Sequence, residues 1–234
     1  MAKVFLDIGA HIGETLAVVR DPKWHFDRIV CFEPAPVCWP RIEALADERV
    51  EICRFGLWSE DATMTLHNPG DVGASTAFDK NPITDSADCA FRDAAVWFAE
   101  NVSDSDQVYA KINVEGAEAD LIDRLFGSGE LAKIDHLLVH FDVRKAPSLS
   151  HREPAVRAQL VASGVDFQSA EEIQFGGVIR GTRNWLQWVE GNRRTRDLRF
   201  KVLRRREHAV RRRLYPLKQR LLRSDVDVAK GERV

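Results

Sequence analysis

Two carboxylates and two glycines stand where buried chain segments end. Residues 4–15 read VFLDIGAHIGET, an apolar run closed by Asp7 and followed by Gly9 and Gly13; residues 28–34 read RIVCFEP, a second run closed by Glu33. A glycine directly after a strand lets the main chain turn without a Cβ and lets a ligand lie against bare backbone. A second glycine four residues on lets the following helix pack tightly. Asp7 beside this turn would repel a pyrophosphate and suits a positively charged ligand, while Glu33 can accept both hydroxyls of a ribose. The dinucleotide pattern GxGxxG is absent, which disfavours a nicotinamide-dependent enzyme. His11, inside the turn, adds a side chain able to hydrogen-bond a ligand. Either these residues bind a nucleoside that carries a cation, or the glycines serve packing alone.

A third stretch, KINVEGAE at 111–118, places Asn113 and Glu115 at the end of another apolar run, and IDHLLVHFDV places His140 and Asp142 at the end of a fourth. Groups at strand ends can project over one crevice. Glu115 and His140 are the candidate general bases for removing a proton from a hydroxyl. Each also has a plain structural role: Glu115 as a helix cap, Asp142 as a partner of Arg144, His140 as a wall residue. Lys111, inside its run, reads as a structural ion-pair partner. Trp58, Trp97, Trp185 and Trp188 could stack on a sugar or fill the core. No HxxxH or paired-carboxylate spacing points to a metal.

Elements must hold these residues in place, and the periodicity predicts them. The runs ending at Asp7 and Glu33 are apolar throughout, the pattern of parallel strands buried on both faces. Helices are expected at about 12–20 and 37–46. VEICRFGLW and ATMTLH read as strands, 68–88 as a loop, 91–100 as a helix, QVYAKINV as a strand, 117–125 as a helix. IDHLLVHFDV is a further strand and 152–164 a helix, with VDFQSAEEI and TRNWLQWV as a closing antiparallel pair. The expected fold is α/β: about seven mostly parallel strands with helices on both faces. In such a sheet ligands bind beyond the carboxyl ends of the strands, where the strand order reverses.

VFLDIGAHIGET, CFEP and KINVEGAE, in that order, make residues 3–190 resemble the FkbM family of S-adenosyl-L-methionine-dependent methyltransferases, whose corresponding motif reads close to KIDVEGAE. The resemblance implies a class I, Rossmann-like methyltransferase fold, S-adenosyl-L-methionine as cofactor, and O-methylation of a hydroxyl on a sugar, glycan or related product. It implies that Asp7, Gly9, His11 and Gly13 form the cofactor loop, that Glu33 is the ribose ligand, and that Asn113 and Glu115 lie at the methionine end. Asn113 stands where the family usually has aspartate, and His11 where asparagine is frequent. A loss of catalysis through Asn113 would leave a binding module instead of an enzyme.

The 234 residues are 44% hydrophobic, enough for a core, and contain no apolar stretch of about 18 residues to span a bilayer. A soluble cytoplasmic protein is expected, with domain 1–190 followed by an extension, 191–234. The four cysteines form no CxxC pair and read as buried thiols. The net charge of −2 conceals a division, since residues 191–223 carry fourteen Lys/Arg against Asp197 and Glu207. Leu198, Val202, Val210, Leu214, Leu217 and Leu221 give this tail a helical apolar stripe broken by Pro216. Residues 193–223 suit an anionic membrane surface, a polyanion or the acidic body itself. An RNA methyltransferase is the other alternative, but nucleic acid is the weaker partner, because no RNA-binding module or aromatic interleaving accompanies the arginines.

Overall fold

A computed structural model of the chain describes residues 1–173 and 177–191. The chain divides into two units, Met1–Leu186 and Gln187–Val234. The basic segment 193–223, with its expected helix and partners, lies outside the described residues.

Along the described residues run β1 (Lys3–Ile8), α1 (Leu16–Val19), β2 (Arg28–Phe32), α2 (Trp39–Glu43), β3 (Val50–Cys53), β4 (Gly56–Trp58), β5 (Ala62–His67) and β6 (Ser86–Asp93). Then come α3 (Ala94–Asn101), β7 (Gln107–Ile112), α4 (Glu118–Ser128), β8 (His136–Val139), α5 (Glu153–Ser163), β9 (Asp166–Ser169), α6 (Ala170–Ile173) and α7 (Val178–Glu190). Six strands form one sheet in the order β3-β2-β1-β7-β8-β9, every neighbouring pair parallel. This is the Rossmann-like α/β arrangement that the alternating pattern predicts. The order reverses between β1 and β7, whose side chains are buried almost throughout. A crevice therefore opens beyond Ile8 and Ile112.

β4, β5 and β6 form a second, three-stranded sheet in the order β4-β6-β5, so the expected single sheet of about seven strands is instead six plus three. The expected closing antiparallel pair is also absent. DFQS is a parallel strand on β8, and TRNWLQWV lies within α7. Thr182, Trp185 and Leu186 are fully buried, a spacing of three and four residues that marks one face of a helix. Trp185 Nε1 donates to Gln168 Oε1 at 2.8 Å, tying that face to β9. Two helices start later than expected. Residues 11–15 form turns, with His11 and Gly13 at positive φ, so α1 begins only at Leu16. Phe91 and Arg92 belong to β6, and Asp93 caps α3 by accepting from Ala95 N at 2.9 Å and Val96 N at 3.3 Å.

Candidate functional site

A cleft enclosing ≈ 860 Å³, its open mouth included, lies at the carboxyl ends of β1, β2 and β7. Gly9, His11, Glu33, Asn113 and Glu115 line it, whereas Asp7, Gly13 and His140 do not.

Asp7 is fully buried. The β1–β7 register sets it opposite Lys111, whose ammonium lies 3.1 Å from Asp7 Oδ1 and donates to the Gly9 carbonyl at 2.6 Å. Burial raises the Asp7 carboxyl, and the Lys111 charge opposes that rise. The expected contact between Asp7 and a cationic ligand is therefore corrected: its charge is engaged inside the sheet, neutralising the lysine that reaches the cleft.

Gly9 has φ +86°, and a Cβ there would lie 2.0 Å from the Asn113 carbonyl oxygen. The glycine is required by the close approach of two main chains at the crevice. Gly13, at φ +87°, leaves room for Leu45 beyond α2, where a Cβ would come within 2.8 Å of Leu45 Cδ1. Both positions are conformationally glycine positions.

Glu33 is nearly buried, and each oxygen takes one main-chain donor: Oε2 from His11 N at 2.7 Å, Oε1 from Ala35 N at 2.9 Å. A carboxylate oxygen accepts more than one hydrogen bond, so each retains capacity for a ligand hydroxyl. Burial raises this carboxyl, and the two N–H groups hold it back. His11 Nδ1 faces Glu14 Oε2 at 3.1 Å, and Nε2 faces the Gly70 carbonyl at 2.9 Å. Both partners are acceptors, which favours the doubly protonated ring, and the Glu14 hydrogen bond is the main cause that raises His11.

The β7 side differs in character. Asn113 Oδ1 is buried without a hydrogen-bond partner. Glu115 sits at φ +54°, followed by Gly116 at +116°. Its carboxylate pairs with Lys80 and hydrogen-bonds Asp142. Burial and the Asp142 charge raise Glu115, with Lys80 opposing. For Asp142, burial works upward but its contacts with Glu115 and Lys145 outweigh it and hold it low. Glu118, fully buried, accepts from Gly116 N and from Val143 N at 3.0 Å, and burial pushes it up to about 7. His140 is pushed down to about 3 by burial and by the Lys111 charge. A neutral, weakly basic imidazole outside the cleft lining is a poor general base, which leaves Glu115 as the candidate.

Residues 68–85, the connection between β5 and β6, form a strap over the cleft. Gly70, Asp71, Val72, Ala74 and Thr76 line it. Asn68 closes the strap's base: its main-chain N–H donates to Asp85 O at 2.8 Å, its Oδ1 accepts from Thr84 N at 2.8 Å, and its Nδ2 donates to Pro82 O at 2.9 Å. Ser75 Oγ donates to the Glu115 carbonyl at 2.6 Å, and Asp79 accepts from Ser148 N at 2.7 Å. The small sheet adds Leu57, Leu66 and Phe91 as an apolar wall. Gly56 makes room for the Phe91 ring, 2.5 Å from where a Cβ would lie. Of the tryptophans considered for sugar stacking, Trp97 and Trp185 are core, and Trp58 packs edge-on against Phe91 at 6.2 Å.

Sequence reasoning missed Glu14, Asp71, Ser75 and Lys80. Glu14 stands three residues after His11, a spacing that could have been read as a pair; the other three lie in a glycine-, proline- and serine-rich stretch that carries no periodic signal.

A parallel sheet with a cleft at its topological switch point defines a Rossmann-like α/β protein. No family model and no curated protein matches the chain. Among solved structures, the chain is similar to methyltransferase FkbM from Methylobacillus flagellatus KT, with a TM-score of 0.45 and 16% identity over 68% of this chain and 37% of that one. The chain thus spans well under half the length of that protein, and the likeness carries no argument about activity.

Proposed function

We propose that this chain is an S-adenosyl-L-methionine-dependent methyltransferase that acts on a hydroxyl, of a sugar, glycan or related metabolite. The observation that carries the reading is the charge of the cleft. Glu14, Glu33, Asp71 and Glu115 line it against two basic groups, His11 and Lys111, of which His11 is engaged with Glu14 and Lys111 with Asp7. Such a lining favours a cationic ligand over a phosphate chain.

The residues present fit the cofactor. Glu33 retains acceptor capacity for ribose hydroxyls, the Leu57, Leu66 and Phe91 wall suits a flat heteroaromatic ring, and the unpartnered Asn113 Oδ1 suits an ammonium donor. When bound, the cofactor supplies a methyl group already activated on a sulfonium. The chain's own part is to hold the acceptor hydroxyl, exclude water beneath the strap, and take the hydroxyl proton on Glu115.

Calorimetric titration with S-adenosylhomocysteine tests the reading. The wild-type chain is expected to bind it, with Glu33→Gln weakening binding roughly ten-fold to a hundred-fold through loss of a charge-assisted hydrogen bond. Absence of binding at millimolar ligand would overturn the cofactor assignment, and equal affinity in Glu33→Gln would remove Glu33 from it.

A further inference from the structure

Glu115 is held twice by the same strap. Its carbonyl receives Ser75 Oγ and its carboxylate receives the Lys80 ammonium. We infer that Lys80 arms Glu115: the strap carries an ammonium onto the carboxylate, so that Glu115 can hold a negative charge and accept a proton only while residues 68–85 lie across the cleft. This rests on the reading of Glu115 as the proton acceptor, and it assigns Lys80 as a positioning residue.

The surroundings of Glu115 make the lysine necessary. From the turn after β8, Asp142 presents a like charge. Lys145, on that turn, is engaged with Asp142 at 2.7 Å. From α4, Glu118 is itself raised by burial and by the Glu115 charge, with its oxygens turned to the Gly116 and Val143 main chain. Without Lys80, Glu115 would lie between two acids in a largely dry place, where the neutral form prevails.

The lysine itself is nearly fully buried, with 2% of its side chain exposed. Burying an ammonium is costly unless it is paired, and a strap that only covered the cleft would be better served by an apolar side chain there. Glu115 also occupies a left-handed conformation unusual for a residue other than glycine. Strain of this kind persists where surrounding contacts over-determine it, and here Ser75 fixes the carbonyl while Asp79, one residue before Lys80, is pinned to Ser148. Closure of the strap and ionisation of the carboxylate are therefore one event.

The test is a carboxyl-carbon NMR titration of Glu115 in the full chain, assigned by its loss in Glu115→Gln. Lys80→Met is expected to raise the midpoint by roughly one pH unit or more, and Lys80→Arg to hold it near the wild-type value. Asp79→Ala, which releases the strap from Ser148 but keeps both Lys80 and Glu115, is expected to move the midpoint the same way by less. An unmoved midpoint in Lys80→Met overturns the inference; if that variant does not fold, an unmoved midpoint in Asp79→Ala does so. S-adenosylhomocysteine titrations on the same samples separate the two readings. Binding with an unmoved midpoint sinks the role of Lys80 alone, whereas a moved midpoint without binding sinks the methyltransferase reading and leaves the coupling in place.

Discussion

The two sides of the cleft are built from different materials. On the β1–β2 side, Gly9 and Glu33 are fixed by main-chain contacts, and the buried Asp7–Lys111 pair is internal to the sheet. On the β7–β8 side, Glu115, Glu118 and Asp142 crowd one another and are shifted by burial and by each other. The first side offers preorganised geometry and the second offers titration. Apart from His11, whose ring ties the first side to the strap, substitutions on the first should therefore change stability or affinity at every pH, and those on the second should change the dependence on pH.

The largest effect is expected at Gly9. A Val side chain would collide with the Asn113 carbonyl and force a β-branched residue to positive φ, so Gly9→Val should abolish the cooperative thermal transition followed by circular dichroism. A folded Gly9→Val protein would show that the two sides are not locked together. Next is Asp7→Asn, which strands a buried lysine and should cost about 3–5 kcal/mol in urea unfolding. The double change Asp7→Leu with Lys111→Met should recover most of that loss, because it removes both charges at once.

Glu118 tests the opposite side. Its folded value of about 7 lies above the ordinary carboxyl value of 4.5, so the folded state binds the proton more tightly. The stability it contributes is fully present below pH 4.5 and is lost as pH rises through 7, on the order of 3 kcal/mol in all. Denaturation across pH 4 to 8 should show that decline in the wild type and a flatter profile in Glu118→Gln. The smallest effect is expected at His11, which joins the strap to the β1 turn. Its raised value means that the Gly70 tie is firm below pH 6.5 and is lost as pH rises through the folded value. Amide exchange in residues 68–76 should accelerate over that rise, and in His11→Asn should be fast at both ends.

What the sequence discloses follows the same division. β1, β2 and β7 are legible because strands buried on both faces are apolar almost throughout, and Gly9, Glu33 and Asn113 directly follow their last residues at the rim. Gly9, Glu33, Asn113 and Glu115 are found that way. The role of Asp7 is not, because its partner is 104 residues away and is chosen by strand register, which no local pattern encodes. TRNWLQWV misleads because a short aromatic-rich run fits a strand as well as a helix until its buried face is known. Lys80 and Ser75 are invisible because their function arises only where an irregular loop crosses another chain end.

Asn68 gives the strap a property of its own. By bonding to residues 82, 84 and 85 it knots the two ends of the loop beside the small sheet, outside the six parallel strands. What hangs from that knot is a cassette with a few fixed points. Residues of it other than Ser75, Asp79 and Lys80, which hold Glu115 and Ser148, can be rewritten or lengthened while the frame keeps its pairing.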